Sequence, residues 1–275
     1  MTHRPSYLHV FLTFARNSLV RDMTFRANFI IQCISSLSWT AMNLGFYLLI
    51  FTLTDTIAEG TDWGQNEFLV FLATTYFVTS LVQLLFMPNA EEFSELIRTG
   101  GLDFVLLKPI DAQFLVSLQR MNWSQASNFL FGLVLLFYAL GQLDYQPGLF
   151  AALLYPLYVL CGVAIMYSLM ISLAATSIWL GRNQTLYNFW FYITNFSRYP
   201  MEIYNGRIGT PLQLTFTYLI PVLVVINVPA RLLAKPLREG EAYLALFALL
   251  ATVVSLVASR WVFQRALLSY RSASS

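Results

Sequence analysis

Between Asn89 and Phe114 the chain reads NAEEFSELIRTGGLDFVLLKPIDAQF, a stretch between two strongly apolar runs that holds five of the 14 acidic residues. The chemistry on offer is charge recognition rather than bond-making. Asn89 can cap a short helix, and Glu92, three residues on, completes a reciprocal capping pair. Glu91, Glu92 and Glu95 fall in the first turns, where carboxylates offset the positive end of a helix. Phe93, Leu96 and Ile97 stand at i, i+3 and i+4 and form a small apolar face; Arg98 closes the last turn and Gly100 takes the usual helix-ending position. After Gly100 and Gly101 the segment LDFVLLKPI is too short to cross a membrane and ends at Lys108 and Pro109. Asp103 and Lys108 are placed to fix this return, although Asp103 serves equally to cap the following turn. The spacing predicts a stiff helix lying across the mouth of the flanking apolar runs, acidic outside and apolar inside. Such a helix suits a groove on a soluble partner, and it suits as well a solvated helix that only stops the chain.

Other chemistry is missing. No GxxxxGK[ST] phosphate-binding loop occurs, and the only histidines are His3 and His9, so no His-based metal or proton site forms at mid-membrane. No Asp or Glu falls inside the clear apolar runs, where a proton-coupled carrier keeps a carboxylate on its path. Ser35, Ser36 and Thr40 lack a partner base and are read as helix-packing residues. No catalytic or metal-binding residue is assigned. Cys33 and Cys161 sit in apolar runs and suggest neither a disulfide framework nor a CxxC metal site. Four polar groups in apolar runs, Asn43, Tyr47, Gln83 and Asn128, are candidates either for a path or for helix–helix contacts. If the chain moves anything uphill, the power comes from another subunit.

The elements that must position these residues follow from composition. The chain is 57% hydrophobic and 11% charged, against about 25% charge in soluble domains, which places it in the membrane class. No cleavable signal peptide is evident, because the first apolar run is too long for one. About 20 apolar residues cross a bilayer. Runs at 27–54, 68–87, 124–143, 149–180 and 242–263 meet that length, within one transmembrane domain, 1–275, whose residues 88–111 form the charged loop. The region 184–233 fits three arrangements. Leu212–Leu233 is a plain span kinked at Pro221, or Leu186–Tyr199 crosses and Leu212–Leu233 dips in and returns, or both cross. Pro221 and Pro229 break helical hydrogen bonds and favour the irregular element.

Charge orients the chain. The loop 55–67 and the turn 141–148 hold acidic residues and no Lys or Arg, whereas Arg4, Arg16, Arg21 and Arg26 precede the first run, Arg98, Lys108 and Arg120 follow the second, and Arg260, Arg265 and Arg271 lie at the C-terminal end. Basic loops stay cytoplasmic; the first arrangement keeps 13 of the 16 basic residues inside and the other two keep 11. Six spans with both termini cytoplasmic are expected. Within 1–26, Tyr7, Val10, Phe11 and Phe14 share one helical face, which predicts a helix lying in the headgroup layer among membrane lipids; a plain extension of the first span is the alternative.

IRTGGLDFVLLKPIDAQF resembles the hallmark of bacterial ABC-2-type permeases, Ile-Arg-x-Gly-x-Leu-Asp followed by Leu-x-x-Pro. SRYPMEIYNG at 197–206 and LIPVLVVINVPARLL resemble the same family's second signature, so the resemblance covers nearly the whole chain. It implies an all-α polytopic fold of the type V exporter kind: an N-terminal interface helix, six transmembrane helices, a cytoplasmic coupling helix and a re-entrant element before the last span. It also implies a permease of the bacterial inner membrane, commonly an exporter, that pairs with a second permease copy, identical or paralogous. Two separate ATPase subunits would carry ATP and magnesium, and this chain would bind no cofactor. By that resemblance the Asn89–Arg98 helix couples to the ATPase through Glu91, Glu92, Phe93, Glu95, Leu96, Ile97 and Arg98. Gly100 and Gly101 supply the turn, and Asp103 and Lys108 the return. Tyr199 and Pro200 open the re-entrant region that holds Pro221 and Pro229. The net charge of +2 is scattered and gives no ground for nucleic-acid binding. A secondary carrier or channel would work without a nucleotide-binding partner, and a membrane scaffold would use the same charged loop without transport.

Overall fold

The computed structural model describes residues 6–58, 61–180, 184–236 and 242–270. His3, Arg4, Glu59, Arg238, Arg271 and the last five residues of the predicted tail lie outside the described residues. Among the described ones all regular structure is helical. Helix α1 (Tyr7–Thr24) passes through a break at Phe25 into α2 (Arg26–Phe51). Next come α3 (Gln65–Leu85), α4 (Met87–Arg98), α5 (Gly101–Leu106), α6 (Ala112–Leu118) and α7 (Ala126–Gln142). Then follow α8 (Leu149–Ala175), α9 (Ser177–Leu180), α10 (Gln184–Asn195), α11 (Gly206–Leu214), α12 (Leu223–Ala234) and α13 (Ala242–Ser269).

Five stretches are long and apolar enough to cross a membrane: Arg26–Phe51, Gln65–Arg98, Trp123–Gln142, Leu149–Leu180 and Ala242–Ser269. A sixth arises if Gly206–Leu219 and Leu223–Ala234, bent by 90° at their junction, count as one. The junction has a local cause. Pro221 cannot donate to a helix and its ring drives the preceding residue out of the helical region; Ile220 sits accordingly at φ −119°, ψ 88°.

Helix α3 is the centre of the bundle, packed on α7, α8 and α12. Its side chains from Phe68 to Val78 are buried all round, as expected of a helix that is apolar on every face. Helix α12 is buried almost completely between α3 and α8. At Gly162 of α8 an added Cβ would lie 2.7 Å from the Val225 carbonyl oxygen of α12. That carbonyl is the one Pro229, four residues on, leaves without its helical N–H donor, so the missing side chain of Gly162 lets α8 cover it. Helix α2 is peripheral: Ile30, Ile34, Trp39, Met42 and Phe46 are exposed, an apolar surface that lipid rather than water would solvate.

The N-terminal helix uses its apolar residues differently from the sequence expectation. Tyr7 meets the Phe114 ring edge-on at 5.0 Å, and Phe14 packs in a cluster with Phe93 and Phe263. Trp123 donates to the Ala15 carbonyl at 3.1 Å, and the Met121 N–H donates to Ser18 at 3.0 Å. The predicted face is therefore partly turned onto the chain, with Val10, Phe11 and Phe14 half-buried and Tyr7 still exposed, and Leu8, Leu12, Leu19 and Met23 form an exposed stripe.

Candidate functional site

Two places collect the residues singled out by sequence. The first is the charged end of the bundle, where α1, α4–α6 and the end of α13 meet. Helix α3 runs on into α4 as a single stretch of 34 residues. At about 1.5 Å per residue it is roughly 50 Å long against a hydrocarbon layer of about 30 Å, so its far end stands clear of lipid if α3 spans. The expected capping pair is not formed. The helix begins at Met87 because Phe86 continues α3, and Pro88 sits in the first turn, where its missing N–H costs nothing. Asn89 is thereby inside the helix and 4% exposed. Its side chain donates to the Arg120 carbonyl at 2.7 Å and to the Leu85 carbonyl at 3.0 Å, and accepts from the Arg120 N–H at 2.8 Å. Glu92, the expected partner of the cap, instead pairs with Arg120 at 2.8 Å.

The remaining residues of this helix divide by face. Phe93 is fully buried, with its ring 5.9 Å from Phe263 of α13, so it anchors the helix and is out of reach of a partner. Leu96 and Ile97 are half-buried, while Glu91, Glu95 and Arg98 are exposed, the last two forming an ion pair. Gly100 turns the chain at φ 72°, a left-handed conformation that favours glycine. Gly101 starts α5, Asp103 neighbours Tyr270, and Lys108 is exposed. Helix α5 buries Leu102 and Val105 but leaves Phe104 73% and Leu107 81% exposed. These two large apolar side chains at the tip were not singled out by sequence, although LDFVLL held the signal: at helical spacing its apolar residues cannot all face inward.

Asp111 is a further contributor that sequence reasoning missed. It caps α6, accepting from the Phe114 N–H at 2.9 Å, and accepts from Arg260 of α13 at 3.0 Å. Burial pushes its carboxyl up, but the bonds from Arg260 and Phe114 outweigh it and hold the group below the usual carboxylate range. Helix α4 is thus tied through Arg120 to the connection between α6 and α7 and through Phe263 to α13, and α6 is tied to α13 through Arg260.

The second place is a cavity of about 440 Å³ inside the bundle. Asn43, Tyr47, Gln83 and Asn128 all line it, together with Arg198 and Tyr199. The four scattered polar candidates from α2, α3 and α7 are brought to one wall. Their surroundings differ. Asn128 donates to Ser36 at 2.6 Å and to Gln125 at 3.0 Å and accepts from Thr40 at 3.1 Å, so it cements α2 to α7. Tyr47 neighbours Tyr199. Tyr199 itself is extended and Pro200 opens a short 3-10 turn. The turn is held by Asn227 of α12, which is fully buried and accepts from the Met201 N–H at 2.8 Å. Glu202 pairs with Arg231 near the end of α12, and Lys235 lies 4.2 Å from the Trp63 ring in the α2–α3 loop. The start of the 199–234 segment and its end therefore meet each other.

Residues 37–274 match the family described as ABC-2 family transporter protein. The chain belongs to the ABC-2 transporter family. No match is found among curated proteins or among solved structures. As an ABC-2 transporter protein with several apolar helices it is a multi-pass membrane protein, the permease-type component of an ATP-binding cassette transporter and not itself the catalytic part.

Proposed function

We propose that this ABC-2 protein is the permease subunit of an exporter of the bacterial inner membrane, working as a pair of copies with both termini in the cytoplasm. ATP hydrolysis in a separate cassette ATPase would act on it through the α4–α5 knee. The observation that carries this reading is the α3–α4 stretch, joined at Phe86, whose end presents Glu91, Glu95 and Arg98 outward while Phe93 and Asn89 lock it to α13 and to the connection that leads into α7. A force on the knee reaches three spans. In this reading Phe104 and Leu107 enter a groove of the ATPase and the acidic side chains flank it. Glu92, spent on Arg120, and Phe93, buried, serve by holding the helix in place.

The meeting of Glu202 with Arg231 supports the second arrangement of the region before α13. The chain rises through α10, turns at Tyr199 and Pro200, dips in through α11, breaks at Pro221 and returns through α12 on the side it came from. Helix α12, at 12 residues, is about 18 Å long and too short to cross alone. Its buried position supplies the protein cover that irregular backbone needs at membrane depth. The exposed stripe of α1, Leu8, Leu12, Leu19 and Met23, is the face that would lie in the headgroup layer.

The test is co-purification with the cognate ATPase. Phe104→Ser with Leu107→Ser, or Glu91→Lys with Glu95→Lys, should lower the recovered ATPase at least tenfold while membrane insertion and the melting temperature of the permease stay as they were. Full recovery of the ATPase with both double variants removes the knee from the contact.

A further inference from the structure

The cavity between α2, α3, α7 and the turn at Tyr199 holds one charged side chain. Among its lining residues Arg198 is the only ionisable group apart from tyrosines, and no carboxylate is present. Among the described residues the Arg198 guanidinium meets the Phe191 ring at 5.6 Å and no carboxylate. A guanidinium is permanently charged, and withdrawing one from water without a counter-ion is costly. Its depth is set by its neighbours: Tyr76, in the same wall, lies near the middle of α3. An ionisable group at such depth calls for a named partner.

The carboxamides of Asn43, Gln83 and Asn195 line the same space. Whereas Asn128 is fully engaged, these three have no hydrogen-bonded side-chain partner among the described residues. A half-buried cation beside several half-buried N–H donors that are unspent is a site for an anion. One edge of the slot is apolar and open: Trp39 lines it and is 62% exposed, and Met42 and Phe46 follow on the exposed face of α2.

We propose that this cavity binds the anionic head group of an amphipathic molecule, with Arg198 as charge partner, Asn43, Gln83 and Asn195 as donors, and the apolar chain lying along the Trp39 face of α2. This deepens the permease reading by naming a ligand class, and it is tested on the permease alone, so loss of the ATPase contact would leave it standing.

The probe is brominated phosphatidylglycerol, compared with brominated phosphatidylcholine, titrated into purified permease in nanodiscs of unlabelled phosphatidylcholine. The quenching specific to Trp39 is taken as the difference from Trp39→Phe. Half-quenching is expected at a mole fraction at least fivefold lower for the anionic lipid. Arg198→Gln should abolish that preference and Arg198→Lys should keep most of it, because charge rather than shape carries it. Should Arg198→Gln melt early, Asn43→Leu with Gln83→Leu is the substitute and should weaken the preference threefold or more. Equal quenching by the two lipids, or an unchanged preference in Arg198→Gln and in the double variant, overturns the proposal. Displacement of the preference by millimolar inorganic phosphate would assign the site to a soluble anion and overturn the amphipathic part.

Discussion

Asn89 offers the sharpest test of how the coupling region is held. Its carboxamide makes three hydrogen bonds from a position 4% exposed, two of them to the backbone of Arg120. The bond to Leu85 lies within the α3–α4 stretch and adds little to the tertiary structure. Each bond to Arg120 contributes about 1 kcal/mol net, and the Arg120 peptide groups left behind regain water in part, because that residue's side chain stands at the surface. Asn89→Ala should therefore cost about 2–3 kcal/mol. At about 2–4 °C per kcal/mol for a chain of roughly this size, the apparent melting temperature should fall by about 4–12 °C. Asn89→Asp is nearly the same size, but at neutral pH it sets an oxygen against the Leu85 and Arg120 carbonyls. It should cost at least as much as the alanine, with partial recovery in acid as the protonated carboxyl regains a donor. Arg120→Ala removes only the exposed pair with Glu92 and keeps the backbone bonds, so about 1 kcal/mol or less is expected. Melting curves in one detergent, followed by intrinsic fluorescence, decide it. A neutral Asn89→Asp at pH 7, or an Arg120→Ala as damaging as Asn89→Ala, refutes the geometry.

Two further outcomes follow from particular contacts. Gly162→Ala places a methyl group 2.7 Å from the Val225 carbonyl, a backbone atom that cannot swing aside, so it should cost about 1–3 kcal/mol; Gly141→Ala, in α7 with nothing within 4 Å of its Cβ, should leave the melting temperature unchanged or raise it slightly. Removing the Asp111–Arg260 pair by Arg260→Gln should lower stability by about 1 kcal/mol or less at pH 7, since both side chains are partly exposed. The Asp111 carboxyl is held below its unfolded value, so its contribution is complete above the ordinary carboxylate range and is lost as pH falls through the depressed value. The melting temperatures of wild type and Arg260→Gln should converge in acid, and a gap that stays constant across pH would show that the pair does not titrate with folding.

The sequence alone determined the membrane character, the five long apolar stretches, the charged interruption after the second of them and the turn at Gly100. Hydropathy sums transfer free energy over consecutive residues, and a left-handed turn is a demand on one residue, so both are local and readable. It also marked Asn43, Tyr47, Gln83 and Asn128 as polar groups in greasy surroundings, without showing that they share a wall. Only the tertiary structure decided that Asn89 bridges to Arg120 rather than capping its helix, and that Phe93 is an anchor while Phe104 and Leu107 are offered outward. It alone joined Asp111 to Arg260 across 149 residues and left Arg198 facing a cavity without a carboxylate. Each of these depends on which distant segment lies alongside, and a periodicity read along the chain carries no information about neighbours brought in by folding.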